Sequence, residues 1–387
     1  MSTPSPNVRL PALDGLRGLA ILLVIPHNTS LLPDAALSGI ERVYGLFCQV
    51  GWIGVQLFFV LSGFLITGGL LDSQGASNYF GSFYMRRALR ILPLYLAVLC
   101  VSFLALVPLR LLPQATLLSA HHQIWLWTFL SNWTDPGGLS VNGFTHFWSL
   151  AVEEQFYLLW PVVVLSRTPG SLLRLSALIC LTALLLRIIM RVYHESPEAL
   201  YEFTVCRMDA LAVGAMAAAA QRIPPLRARL GSQRNLIVWS ALGLLVVTLL
   251  LTDHGLRTAW PTQTFGMTLF AAAFALIVLG LADPAARVPA LSRMFGLSAL
   301  RSVGKYSYAM YVLHFPLHKF VGERLLAPPA HASIWYAAGY SLAIAAASYA
   351  AAWCSYRLLE RPFLELKRYF QPRPDSALRS LRGDGVG

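Results

Sequence analysis

The chain has 387 residues, of which 56% are hydrophobic and only 12% charged, with a mean hydropathy of +0.59 and a net charge of +12. Soluble domains carry about 25% charged residues, so this composition excludes an ordinary soluble enzyme and points to a membrane protein. The positive balance is therefore read through loop placement and not as a footprint for nucleic acid.

In chain order, the opening MSTPSPNVRLPALDG is polar and lacks the charged-then-apolar pattern of a signal peptide. Ten apolar blocks follow, near 15–33, 44–70, 91–112, 146–166, 172–190, 202–220, 236–252, 262–281, 303–322 and 334–357. Each is roughly 17–25 residues or a little more, the length needed to cross a bilayer. An eleventh apolar stretch, 122–132, is too short to span and carries Trp125 and Trp127, with Trp133 just beyond; it reads as re-entrant or interfacial. The expected fold is all-α, a polytopic domain over 1–363, followed by a basic, partly disordered cytoplasmic tail over 364–387. Cys48, Cys100, Cys180, Cys206 and Cys354 are scattered singly, so neither a disulfide framework nor a metal site is expected.

With the N-terminus cytoplasmic, six of the 30 Lys and Arg residues fall on outer segments: Arg42, Arg110, Arg191, Arg257, Lys319 and Arg324. Arg187 and Arg207 lie inside helices and the remainder on inner segments, a strong positive-inside bias that puts both termini in the cytoplasm.

Ionisable residues inside apolar blocks are costly and mark cavities or partners. Asp14, Arg17, Arg86, Arg87 and Arg90 lie toward the inner face, where guanidiniums suit phosphate binding. His27, His146, Glu153, Glu154, Arg187, Arg207 and Asp209 lie in the outer half and His314 near the middle of its span, a mixture suited to general acid/base work on a polar acceptor. Arg207, Asp209 and His314 are the candidates for contact with that acceptor. Plainer readings stand beside these: the Arg86–Arg90 cluster as a topology signal at lipid headgroups, Arg207 with Asp209 as an ion pair, His146 as interfacial, His27 as a satisfied structural histidine. Two adjacent acids, Glu153 and Glu154, point roughly 100° apart on a helix, so at least one faces protein or water.

Several stretches together carry a resemblance: LPALDGLRGLAILLVIPH (10–27), GWIGVQLFFVLSGFLI (51–66), FYMRRALRILPLY (83–95), HFWSLAVEEQFYLLWP (146–161), GKYSYAMYVLHFPL (304–317) and the closing LLERPF (358–363). In order and spacing the chain resembles the membrane acyltransferase-3 family, whose members O-acylate extracytoplasmic or membrane-linked carbohydrates and some small molecules. The resemblance implies a bacterial inner-membrane enzyme with no permanently bound cofactor. Its donor would be acyl-CoA, with acetyl as the group, entering from the cytoplasm; its acceptor would be a saccharide or lipid-linked glycan. It further implies His27 as the catalytic histidine with Arg17 as its motif partner, Arg86, Arg87 and Arg90 in donor binding, and Glu153 in the active site. No soluble hydrolase-like domain is expected after residue 363.

Two positions depart from the family pattern. Nine residues separate Arg17 from His27 where ten are usual, which turns His27 roughly 100° from the usual face and puts Asn28 in its slot, unless Pro26 re-aims the helix. Gln56 stands where relatives often carry an acid. Arg17 also lies about 15 Å below His27 along a helix, too far to touch it. The expected reaction has His27 as base and Glu153 holding the imidazole or the acceptor; direct transfer and an acyl-histidine intermediate both remain open. The rival from another class is a transporter using the same intramembrane charges without chemistry.

Overall fold

The computed structural model describes residues 11–32, 39–282, 289–326 and 332–373. The polar N-terminal lead and most of the expected tail fall outside these ranges. Among the described residues the chain forms helices and turns with no strand. Eleven long helices organise it: α1 Pro11–Thr29, α2 Gly39–Val50, α3 Ile53–Asp72, α4 Tyr79–Leu99, α5 Trp148–Leu165, α6 Pro169–Val192, α7 Thr204–Ala220, α8 Arg234–Leu251, α9 Met267–Leu281, α10 Ser298–Pro316 and α11 Ile334–Ser355. Helices are what such sequences must form, because lipid offers no partner to an unpaired backbone group.

Among the described residues, six helical stretches are long and apolar enough to cross a membrane: Gly39–Asp72, Tyr79–Leu106, Pro169–Val192, Pro197–Ala220, Arg234–Leu251 and Thr262–Leu281. The other four expected blocks form α1, α5, α10 and α11, which are richer in polar or small residues. That polarity has a structural counterpart, since α1, α5 and α10 all contribute side chains to an interior cleft. α6 and α8 lie at the periphery and turn apolar stripes outward, Leu178, Leu181, Leu185 and Ile189 on α6 and Leu236, Trp239, Val246 and Leu250 on α8. These are lipid-facing positions.

Glycines let the central helices approach backbone to backbone. A Cβ at Gly304 of α10 would lie 1.7 Å from the Asp14 carbonyl oxygen of α1. One at Gly63 of α3 would lie 2.0 Å from the Leu211 carbonyl oxygen of α7. Small residues at crossings are how helices associate where lipid tails remove the hydrophobic drive. The consequence for function is that α1, α3 and α10 hold their polar side chains in fixed mutual register.

The stretch 114–137 breaks into short turns, Gln114–Ser119, Ile124–Trp127 and Ser131–Thr134 among them, none long enough to cross. It folds against the bundle through Tyr95 Oη to the Leu126 carbonyl (2.8 Å) and Asn132 Nδ2 to Thr204 Oγ1 (2.8 Å).

Candidate active site

α1, α3, α4, α5 and α10 line a cleft of about 90 Å³. Arg17 enters it from α1, Arg87 and Arg90 from α4, Glu153, Glu154 and Tyr157 from α5, and Tyr308 and Tyr311 from α10. Four residues singled out from the sequence, Arg17, Arg87, Arg90 and Glu153, are thus brought together although they lie on three different helices. Glu153 is held by two hydroxyls, accepting from Ser62 Oγ at 2.6 Å and from Tyr157 Oη at 3.0 Å. Buried carboxylates need such partners. Tyr157 sits four residues after Glu153, hence on the same helical face, a spacing legible in the sequence. Ser62, a lone hydroxyl in the apolar run LFFVLSGF, left no comparable signal.

The arginines are less satisfied. Arg17 approaches Asp14 at 3.7 Å. The Arg87 guanidinium lies 5.7 Å from the centre of the Tyr157 ring and 5.9 Å from that of Phe83. Among the described residues neither Arg87 nor Arg90 makes a hydrogen bond or ion pair, so the forked donors of both are unspent beside the cleft. Arg86 lies on the same helix but does not line the cleft. One carboxylate oxygen of Glu154 is likewise buried without a hydrogen bond.

The opposite end of α1 carries the histidines. The helix runs unbroken to Thr29 through Pro26, so neighbouring residues point to different partners. His27 is half-buried, and its Nδ1 lies 2.9 Å from the Cys48 carbonyl at the end of α2. That contact fixes the Nδ1–H tautomer and leaves Nε2 as the basic nitrogen, so Cys48 rather than Glu153 orients this imidazole. His27 does not line the cleft. Asn28 instead turns to α10, its Nδ2 2.9 Å from His314 Nε2, while His314 Nδ1 lies 2.7 Å from the Tyr311 carbonyl. The His314 ring meets His146 edge to face at 5.0 Å. The turn of about 100° between adjacent residues is thus realised, His27 toward α2 and Asn28 toward α10.

Arg207 and Asp209 are fully buried and outside the cleft lining, and they are not paired with each other. Asp209 pairs with Arg187 at 2.9 Å and accepts from Thr268 Oγ1 at 2.6 Å. Arg187 also donates to the carbonyls of Thr264 and Cys206. Arg207 donates to Gln56 Oε1 at 2.6 Å and lies among the rings of Tyr201, Phe59 and Trp148. Gln56, the second departure from the family pattern, therefore supplies an amide where an acid would have met this cation. Among the described residues no cluster of His, Cys, Asp and Glu could hold a metal ion.

Fold and cleft together define a multi-pass, all-helical membrane protein whose ionisable groups converge in its interior. A family model described as an acyltransferase domain, acyltransferase-3, matches residues 10–353, and the chain belongs to that family. It is similar to the O-acetyltransferase OatA of Staphylococcus aureus, 27% identical over 81% of this chain and 51% of that protein. It also resembles the peptidoglycan O-acetyltransferase OatA of Listeria monocytogenes, 27% identical over 91% of this chain and 55% of the relative. The putative peptidoglycan O-acetyltransferase YrhL of Bacillus subtilis is 29% identical over 80% and 48% respectively. The chain spans about half the length of these curated relatives. No solved structure matches.

Proposed function

We propose that this protein transfers an acetyl group from acyl-CoA to a hydroxyl of a cell-envelope glycan. The observation that carries the reading is the cleft itself: guanidiniums with unspent donors beside a carboxylate held by Ser62 and Tyr157. Arginine forks match phosphate oxygens, so Arg17, Arg87 and Arg90 are assigned the phosphate end of the donor, with Arg86 at the rim. The positive-inside bias supports a cytoplasmic entry for that end, with both termini on the same side of the inner membrane. The relatives' named activity on peptidoglycan supports a glycan acceptor.

An extended donor lying along α1 presents its thioester toward His27, about 15 Å from Arg17. The acceptor oxygen attacks the thioester carbonyl carbon. His27 Nε2 takes the hydroxyl proton, the new C–O bond forms, and the C–S bond breaks. The departing thiolate then recovers the proton from the imidazolium. Glu153, held by Ser62 and Tyr157, is assigned to positioning the donor within the cleft, and His314 with Asn28 to flanking the acceptor.

The test is reconstitution in vesicles with labelled acetyl-CoA on one side and glycan on the other, reading free thiol and label on glycan. Release of thiol with equimolar label, lost in His27→Ala, is the expected result. Movement of label without thiol release would overturn the enzyme reading in favour of transport. Equal transfer by His27→Ala and wild type would overturn the assignment of the base alone.

A further inference from the structure

Beyond α11 the chain does not leave the bundle. The helical path continues from α11 through Tyr356–Glu360 into two short helices, Arg361–Glu365 and Leu366–Phe370, which pack against α4. The end of this segment is clamped to the start of α4. The Ser77 backbone N–H donates to the Arg373 carbonyl (3.0 Å), Asn78 Nδ2 to the Gln371 carbonyl (2.9 Å), and the Arg373 backbone N–H to Asn78 Oδ1 (2.8 Å). Two to three turns along the same helix stand Arg86, Arg87 and Arg90. Lys367 lies partly buried in the middle of the clamped segment, close enough to those three arginines to be repelled by each of them.

A docked segment that brings a further cation to three arginines works against its own stability. Its own acids answer that charge only in part, Glu360 through its attraction to Arg90. Glu365 is taken by Arg361 at 2.9 Å, and Glu360 accepts from Ser355 Oγ at 3.0 Å. The remaining charges of the segment, Arg368 and Arg373, are positive. Like charges gathered at one place are repaid when a polyanion arrives.

We propose that the C-terminal segment completes the donor site, with Lys367 a further cation beside Arg86, Arg87 and Arg90 for the phosphate groups of the donor. This rests on the reading of the donor as acyl-CoA. Burial first, and then repulsion from Arg90, Arg87 and Arg86, push the Lys367 ammonium down to about 7. Phosphate favours the charged form, so donor binding takes up a proton. Affinity is then greatest below pH 7 and falls as pH rises through and above 7. The charged groups on the two elements that meet at Lys367 are Arg86, Arg87 and Arg90 on α4 and Glu360, Arg361, Glu365, Arg368 and Arg373 on its own segment.

The experiment measures CoA binding to the full chain in discs of neutral lipid, at pH 6.5 and pH 9, for wild type, Lys367→Ala and Lys367→Arg. Lys367 does not line the cleft and acts on the phosphates through space, so Lys367→Ala is expected to bind CoA about threefold more weakly than wild type at pH 6.5 and low salt. At pH 9 the gap closes, because the lysine is then largely neutral in the free protein. Lys367→Arg should keep tight binding at both values. Titration of the donor's own phosphate is common to all three proteins and cancels in the comparison. Equal affinity of Lys367→Ala and wild type at pH 6.5, or a gap that does not change with pH, overturns the proposal while leaving CoA as donor. Failure of the wild type to bind CoA overturns the donor reading and the proposal with it. If the pH-dependent gap appears for phosphatidylglycerol added to the discs and not for CoA, Lys367 holds a lipid headgroup and the proposal falls.

Discussion

Arg187 and Arg87 belong to the same bundle, the first fully and the second partly buried, and their surroundings differ in kind. Arg187 spends its donors on the carbonyls of Thr264 and Cys206, the hydroxyl of Thr268 and the carboxylate of Asp209. Arg87 rests against two aromatic rings and keeps its donors unspent beside a cleft. A buried charge that is fully paired has nothing left to offer a ligand, and removing its partner strands it. A charge left unspent on a rigid wall carries a standing cost that a phosphate can offset. The difference separates an arginine that builds the fold from one that serves a substrate, although the sequence presents both simply as charges in apolar helices.

The largest effect should come from breaking the paired region. Asp209→Ala leaves the Arg187 guanidinium buried without its carboxylate, a change that costs about 3–5 kcal/mol. The expected outcome is a protein that loses its monodisperse, cooperatively melting form in detergent. A variant that melts like wild type and fails only in transfer would move Asp209 into the acceptor site and erase the contrast.

Arg87→Ala and Arg90→Ala should do the reverse. Each removes charge-assisted bonds to the donor worth about 1.5–3 kcal/mol, so transfer at low donor concentration should fall roughly tenfold to a hundredfold. The melting temperature should stay near that of wild type or rise slightly, because mutual repulsion is relieved. A large drop in melting temperature would show these arginines to be structural after all.

How much of this was legible beforehand depends on the kind of residue. The helical, membrane-spanning architecture followed from the apolar blocks, and the charges inside them marked Arg17, Arg87, Arg90 and Glu153 before any coordinates. What the sequence could not supply was the choice of partner across helices. Asp209 stands two residues from Arg207 yet pairs with Arg187, because a helix turns by roughly 100° per residue and sends the two side chains of α7 to different neighbours. The same rotation parts His27 from Asn28. The docking of 361–373 was hidden because its clamps use backbone carbonyls of the tail, which no side-chain pattern announces.

The contrast can be sharpened at Arg207, which is as buried as Arg187 but meets an amide and rings instead of an acid. Gln56→Glu would give it a carboxylate. The same substitution sacrifices the bond from Gln56 Nε2 to the Met267 carbonyl, now 2.7 Å. Pairing a buried cation outweighs one neutral hydrogen bond of about 1 kcal/mol, so the melting temperature should rise modestly. A fall would mean that the aromatic cage of Tyr201, Phe59 and Trp148 already holds the charge without a counterion.

The smallest effect is expected at Arg86, which separates proximity from contact. It shares α4 with Arg87 and Arg90 but does not line the cleft, so it acts on a phosphate only through space. Through-space attraction at a partly exposed site is weak and screened over about 8–10 Å at ordinary ionic strength. Arg86→Ala should therefore raise the donor KM by about twofold to threefold at low salt, with no change in kcat and little difference left at 0.5 M salt. A loss as large as that of Arg87→Ala, persisting in high salt, would mean that Arg86 swings inward to bond the donor directly. The rim and the wall of the cleft would then have to be redrawn as one site.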